Sequence, residues 1–188
     1  MSYIQRVDGP TKGSLSQVAE EKGITVEQAF ANAEVVVVID QSGSMCSMDA
    51  RDGQERFDVA EEELRKIQEA YPGAVAVFEF SDDIRFCPDG VPTRIGRMTN
   101  LTNALRYVKQ ADNLYEIVVI SDGEPDNEYA AMAVARTFKG PIHTIFIGEE
   151  GNQGQDFLRK LAQATGGRQF QADKPGELMP GVVALLAG

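Results

Sequence analysis

The chain has 188 residues, enough for one domain with a sizeable core that needs no disulfide or metal staples. It is 43% hydrophobic and 25% charged, as globular proteins are, but 29 acidic against 18 basic residues give a net charge of −11. That balance opposes sequence-independent nucleic-acid binding, which needs Lys and Arg to neutralise phosphates, and it opposes docking on anionic membranes.

In chain order, residues 1–13 hold Gly9, Pro10 and Gly13, show no period, and read as a mobile arm. "SLSQVAEEKG" and "TVEQAFANA" read as two short helices. Ser14 with Gln17, and Thr25 with Gln28, have capping-box spacing, and Gly23 stands where the first helix would stop. The pair has few basic residues, which argues against a DNA-reading helix-turn-helix. Residues 1–33 are therefore expected to be an N-terminal extension that packs on, or presents a partner surface beside, a main domain over 34–188.

From Glu34 onward strands and helices alternate. "VVVVI" (35–39) is a continuous β-branched run, as a strand covered on both faces requires. A loop to about Arg56 leads into a helix with Phe57, Ala60, Leu64, Ile67 and Tyr71 on one face. Glu61/Arg65 and Glu62/Lys66 are i,i+4 pairs, so Glu61-Glu62-Glu63 reads as a solvated helix face. Pro72-Gly73 ends that helix. "AVAVFEF" (74–80) reads as a strand, followed through an "SDD" turn by a short antiparallel edge strand, "IRF" (84–86). A Pro/Gly-rich loop precedes a helix over 100–111. Strands are then expected at 116–120, 142–148 and 168–170, and helices at 126–139, 155–165 and 176–187. This order implies a Rossmann-like, doubly wound α/β fold: a mostly parallel sheet, one short antiparallel edge strand, and helices on both faces.

In such sheets ligands bind beyond the carboxyl ends of the strands, at the switch point. Two strands end there on acids: "VVVVI" runs into Asp40, and "EIVVI" through Ser121 into Asp122. Ser42 and Ser44 follow Asp40 at spacings that let a loop turn a carboxylate and two hydroxyls toward one point, with Gly43 expected to ease the bend. The chain's one histidine, His143, falls inside a strand and is expected to be a satisfied structural residue, so a Ser-His-Asp triad has little support. Zinc would want clustered His or Cys. Hard oxygens suit Mg2+ or Mn2+ instead. Thr99, before the helix at 100–111, supplies a further hydroxyl unless it serves as that helix's cap; Thr102 is its competitor, a turn inside.

These residues carry a resemblance. Asp40-Gln-Ser-Gly-Ser resembles the DxSxS motif of von Willebrand factor type A (vWA) domains. "MTNLTNAL" resembles the family's threonine loop, and "VVISDGEP" its strand-SDG segment, in the family's order, over about residues 34–187. The resemblance implies a metal-ion-dependent adhesion site made of Asp40, Ser42, Ser44, Thr99 and Asp122, normally holding Mg2+, with Mn2+ or Ca2+ as substitutes. Where many members have glycines before the threonine, this chain has Arg97-Met98, which puts Thr99 in the least secure position and places Arg97 at the rim. The family site is usually not catalytic and leaves a coordination position for a partner's Asp or Glu; AAA+ ATPases are among the partners implied. The alternative reading is a Mg2+-dependent hydrolase or phosphoryl-transfer enzyme with Asp40 as nucleophile. Against it, no second acid follows directly behind Asp40, and no phosphate-cradling GxxxxGK[ST] loop exists.

Around the site, Met45, Cys46 and Met48 either rim the metal or fold under, and Glu124 lies close by. "GEEGNQG" (148–154) reads as a turn at the same edge. Asp82-Asp83 read as turn residues, and Asp49 and Asp52 as solvated acids rather than a second cation site. Cys46 and Cys87 are expected at opposite ends of the sheet, so a disulfide between them would contradict the topology. No positively charged segment leads into an apolar one at the N-terminus, and no apolar run nears the roughly 20 residues that span a bilayer. Reduced thiols and a cytoplasmic location are the expectation.

Overall fold

A computed structural model describes residues 9–92 and 96–172. The helix expected over 176–187 lies outside them, as do residues 1–8 of the arm. The described residues contain six strands, β1 (Val35–Asp40), β2 (Val75–Phe80), β3 (Ile84–Phe86), β4 (Glu116–Ser121), β5 (Ile142–Phe146) and β6 (Gln169–Gln171). They form one sheet in the order β3-β2-β1-β4-β5-β6. All pairings are parallel except β2 with β3, where Phe78 faces Phe86 and Phe80 faces Ile84. The expected doubly wound sheet with its antiparallel edge is thus the observed one. The chain fills the β2–β3 side first and returns across β1 to lay down β4, so the switch point lies between β1 and β4.

The helices are α1 (Leu15–Lys22), α2 (Val26–Ala31), α3 (Arg56–Ala70), α4 (Leu101–Val108), α5 (Glu128–Ala135) and α6 (Gln153–Thr165). Because side chains alternate across a strand, β1 divides its core between two clusters. Val36 and Val38 join Leu105, Ala131, Leu158 and Leu161 on one face. Val35, Val37 and Ile39 join Val59, Ala60, Leu64 and Ile67 of α3 on the other. All six residues of β1 are buried, which explains a β-branched run with no polar face.

The N-terminal helices are built as their caps dictate. Thr25 and Gln28 form a complete capping box, and Gly23 ends α1 in the left-handed region at φ 63°. Ser14 accepts from the Gln17 backbone, but the Gln17 side chain takes the Gly13 amide instead of closing a box. Leu15, Ala19, Ala29 and Ala33 belong to the same cluster as Val36 and Val38, so both helices pack on the sheet.

Several expectations need correction. Residues 11–13 are not a mobile arm: the Thr11 amide donates to the Asp89 carbonyl at 2.9 Å and the Gly73 amide to the Gly13 carbonyl at 2.9 Å. Of the acidic run in α3 only Glu62 is exposed; Glu61 and Glu63 are 8% and 4% exposed and pair with Arg65 and Lys66. The i,i+4 spacing identified charge pairs but carries no information about burial. Helix α5 covers 128–135, shorter than the stretch expected over 126–139.

Candidate metal centre

Asp40 closes β1 and is fully buried. Its Oδ1 accepts from the Ser42 amide at 2.8 Å, which folds the loop back over the strand end. Its Oδ2 accepts from the Ser121 hydroxyl at 2.7 Å, and Ser121 in turn accepts from the Gly123 amide. The Ser42 and Ser44 hydroxyls stand 3.0 Å apart, so both serines turn to one point beside Asp40. Gly43 opens a 3-10 turn (43–46) without positive φ, so the bend does not depend on left-handed freedom there. Next to Asp40, Gln41 is 1% exposed and its Oε1 has no hydrogen-bond partner among the described residues.

Thr99 reaches the same edge through a chain of backbone bonds. The Gly96 amide donates to the Gln41 carbonyl at 2.7 Å, and the Asn100 amide to the Ser81 carbonyl at 2.9 Å. The Thr99 amide donates to Asp126 Oδ1 at 3.1 Å, and the Asp126 amide returns to the Thr99 carbonyl. Asn100, not Thr99, caps α4, accepting from the Asn103 amide. Thr99 is 7% exposed, and its hydroxyl makes no hydrogen bond among the described residues. Thr102 lies in the first turn of α4.

Asp122, fully buried beyond β4, is held differently. Its Oδ1 accepts from the Glu124 amide at 3.3 Å, and its Oδ2 from Arg56 Nη1 at 2.8 Å. Arg56, 6% exposed at the start of α3, also forks onto Asp49, Nε to Oδ1 and Nη2 to Oδ2, both at 2.7 Å. Asp49 is exposed, as expected of a solvated acid, and is also an ion-pair partner of Arg56, which the sequence did not suggest. Sequence reasoning missed Arg56, which had looked like a loop-to-helix boundary. It also missed the Ser121 hydroxyl as the fixer of Asp40. The acidic run of the two strand ends offered one signal, since two buried carboxylates side by side call for a cation.

The electrostatics follow. Burial first, and then the Asp122 charge, push the Asp40 carboxyl up to about 7, against the hydrogen bonds from Ser121 and Ser42. Hydrogen bonding to Asp49 first, with the Asp122 charge, holds the Arg56 guanidinium above its ordinary pKa. Arg56 in turn holds the Asp49 carboxyl low.

The surroundings close the picture. Met45 folds under at 1% exposure, whereas Met48 stands 70% exposed and Met98 49%. Arg97 and Glu124 are exposed, and the Arg97 amide donates to Asp82 in the β2–β3 turn. The 148–154 turn does pack on this edge: a Cβ on Gly154 would meet the Asp122 carbonyl at 2.0 Å. His143 sits in β5 at the far end of the sheet, between Glu116 and the Arg168 amide. Both cysteines are free. No cluster of three or more His, Cys, Asp and Glu that could hold a metal occurs among the described residues. The donors gathered here are of another kind, two carboxylates with hydroxyls, which is the chemistry of a hard cation. The unbonded Thr99 hydroxyl and the under-neutralised Asp40–Asp122 pair fit such an ion.

No family model matches the sequence, and no curated protein matches it. Solved structures do. An aerotolerance-related membrane protein from Bacteroides fragilis aligns at a TM-score of 0.65 and 15% identity, over 83% of this chain and 100% of that one. The ArnB paralog VWA2 from Sulfolobus acidocaldarius aligns at 0.52 and 22%, over 77% of this chain and 42% of that one. Manganese-loaded TRAP protein from Plasmodium vivax aligns at 0.51 and 15%, over 83% of this chain and 72% of that one. At these identities the likeness is one of fold: the chain folds as a vWA domain.

Proposed function

We propose that the protein is a protein-interaction module that holds Mg2+, or Mn2+ in its place, at Asp40, Ser42, Ser44, Thr99 and Asp122, and through it captures an Asp or Glu side chain of a partner. The observation that carries this reading is the pair of fully buried carboxylates at the switch point, Asp40 and Asp122, flanked by hydroxyls and served by one guanidinium. When bound, the ion would supply positive charge that the site's own groups leave partly uncompensated, which attracts an anionic ligand. Asp40 orients the serine loop, Ser121 fixes Asp40, and Asp126 fixes the Thr99 backbone. A nucleophilic Asp40 gains no support: both its oxygens are hydrogen-bonded, and the chain's one histidine lies at the opposite end of the sheet.

Thermal unfolding in Mg2+ or Mn2+ tests the metal. An ion that binds the folded chain at 100 times its Kd adds about 2.7 kcal/mol. A rise in Tm is expected for the wild type and none for Asp40→Ala. No rise in either would remove the metal from the reading. Hydrolysis of p-nitrophenyl phosphate that disappears in Asp40→Asn would replace the module with an enzyme.

A further inference from the structure

We propose that Arg56 is a resident counter-cation that tunes the centre to need an anionic partner ligand. The inference rests on the metal-centre reading above and adds a specificity-determining residue to it.

Arg56 is placed against local preference. It is the first residue of α3, where the helix dipole disfavours a cation, so its contacts must hold it there. Three elements do so. The β1–α3 loop supplies Asp49, the end of β4 supplies Asp122, and the turn after β5 closes over the guanidinium, where a Cβ on Gly148 would meet Arg56 Nε at 3.3 Å. The side chain is 7% exposed, against 0% for Asp122 and 40% for Asp49. The charge of Asp49 is therefore partly screened by water, while those of Arg56, Asp122 and Asp40 are not.

The consequence is electrostatic. With a divalent ion in place, the two buried carboxylates and Arg56 leave the cluster one positive charge in excess. Without Arg56 the same cluster would be neutral. Arg56 thus weakens the hold on the metal alone and strengthens the metal's hold on a carboxylate, because both effects follow from the same residual charge in a water-poor site. Asp49 works the other way, since it draws off part of the guanidinium's charge.

Mn2+ titrations followed by electron paramagnetic resonance and by thermal unfolding, each with and without acetate as a model carboxylate, test this. Arg56→Met is expected to bind Mn2+ about tenfold tighter or more, and to lose the gain that acetate gives the wild type. Arg56→Lys, which keeps the charge but not the three-donor fork, should shift Mn2+ affinity and acetate gain less than Arg56→Met does. Asp49→Asn should move in the opposite direction, with weaker Mn2+ binding and a larger acetate gain. Asp49 is exposed, so this variant keeps the test alive should Arg56→Met not fold without metal. If the wild type binds Mn2+ and Asp40→Ala does not, yet the Arg56 and Asp49 variants leave affinity and acetate gain unchanged or move them together, the counter-cation role is wrong and the metal centre stands. If nothing binds Mn2+ with or without acetate, both fall.

Discussion

The two ends of the central sheet treat their polar side chains in different ways. At the amino end His143, Thr165 and Asp112 each find partners, while Gln68 Oε1 at the end of α3 has none among the described residues. His143 Nδ1 accepts from the Arg168 amide, so Nε2 carries the proton toward Glu116 at 3.2 Å. The Thr165 hydroxyl accepts from the Ile142 amide, and Asp112 accepts from the Lys139 and Gly140 amides and pairs with Lys109. At the carboxyl end, buried carboxylates outnumber their cation, the Thr99 hydroxyl has no partner among the described residues, and neither has Gln41 Oε1. Burial is deeper at the carboxyl end, where Asp40 and Asp122 are fully buried, than at the amino end, where the Glu116 side chain is 38% exposed. Two buried carboxylates that share one guanidinium, beside a Thr99 hydroxyl without a partner among the described residues, are what separate the site from a structural polar cluster.

Substitutions at either end test this difference. The largest effect is expected for Arg56→Met, which strands Asp122 as an unpaired buried charge and should destabilise the metal-free protein by about 3–5 kcal/mol in urea unfolding. A loss below about 1 kcal/mol would show that Asp122 does not depend on its guanidinium. Paired glycine substitutions come next. A Cβ at Gly154 would meet the Asp122 carbonyl, and one at Gly167 the Ile142 carbonyl, each at 2.0 Å. Gly154→Ala and Gly167→Ala should each lose about 1–3 kcal/mol. Only Gly154→Ala should also shrink the metal-induced rise in Tm; equal metal responses would erase the distinction between the ends.

A smaller effect is expected at His143. Burial first, against the pull of Glu116, holds its pKa below the ordinary 6.5. The folded state therefore binds this proton less readily than the unfolded state. The stability contribution is whole above pH 6.5 and is lost as pH falls through the folded pKa. His143→Gln should flatten the decline in unfolding free energy below that pH, and an unchanged slope would mean the imidazole is not the group responsible. The smallest effect on stability belongs to Met48→Ser, within about 0.5 kcal/mol, because Met48 is exposed in the loop between β1 and α3; its loss should register in partner capture alone.

Much of this was legible in the linear chain because the signals are local. A buried strand shows as a β-branched run, Thr25 and Gln28 lie three residues apart, and Asp40, Ser42 and Ser44 share one loop. Burial of Glu61 and Glu63 was not legible, since it depends on what packs across α3. Nor was the capping of α4, where Asn100 competes with Thr99 for one role and only the backbone path decides.

By itself, then, the sequence determined the doubly wound fold and the set of oxygens at the ends of β1 and β4. Only the tertiary structure decided which charges meet. Ser121 fixes Asp40 across 81 residues, and Arg56 reaches Asp122 across 66, pairings that no periodicity or motif spacing encodes. They exist because parallel register brings the carboxyl ends of β1 and β4 side by side, and because a buried carboxylate must find a cation or a donor within hydrogen-bond reach.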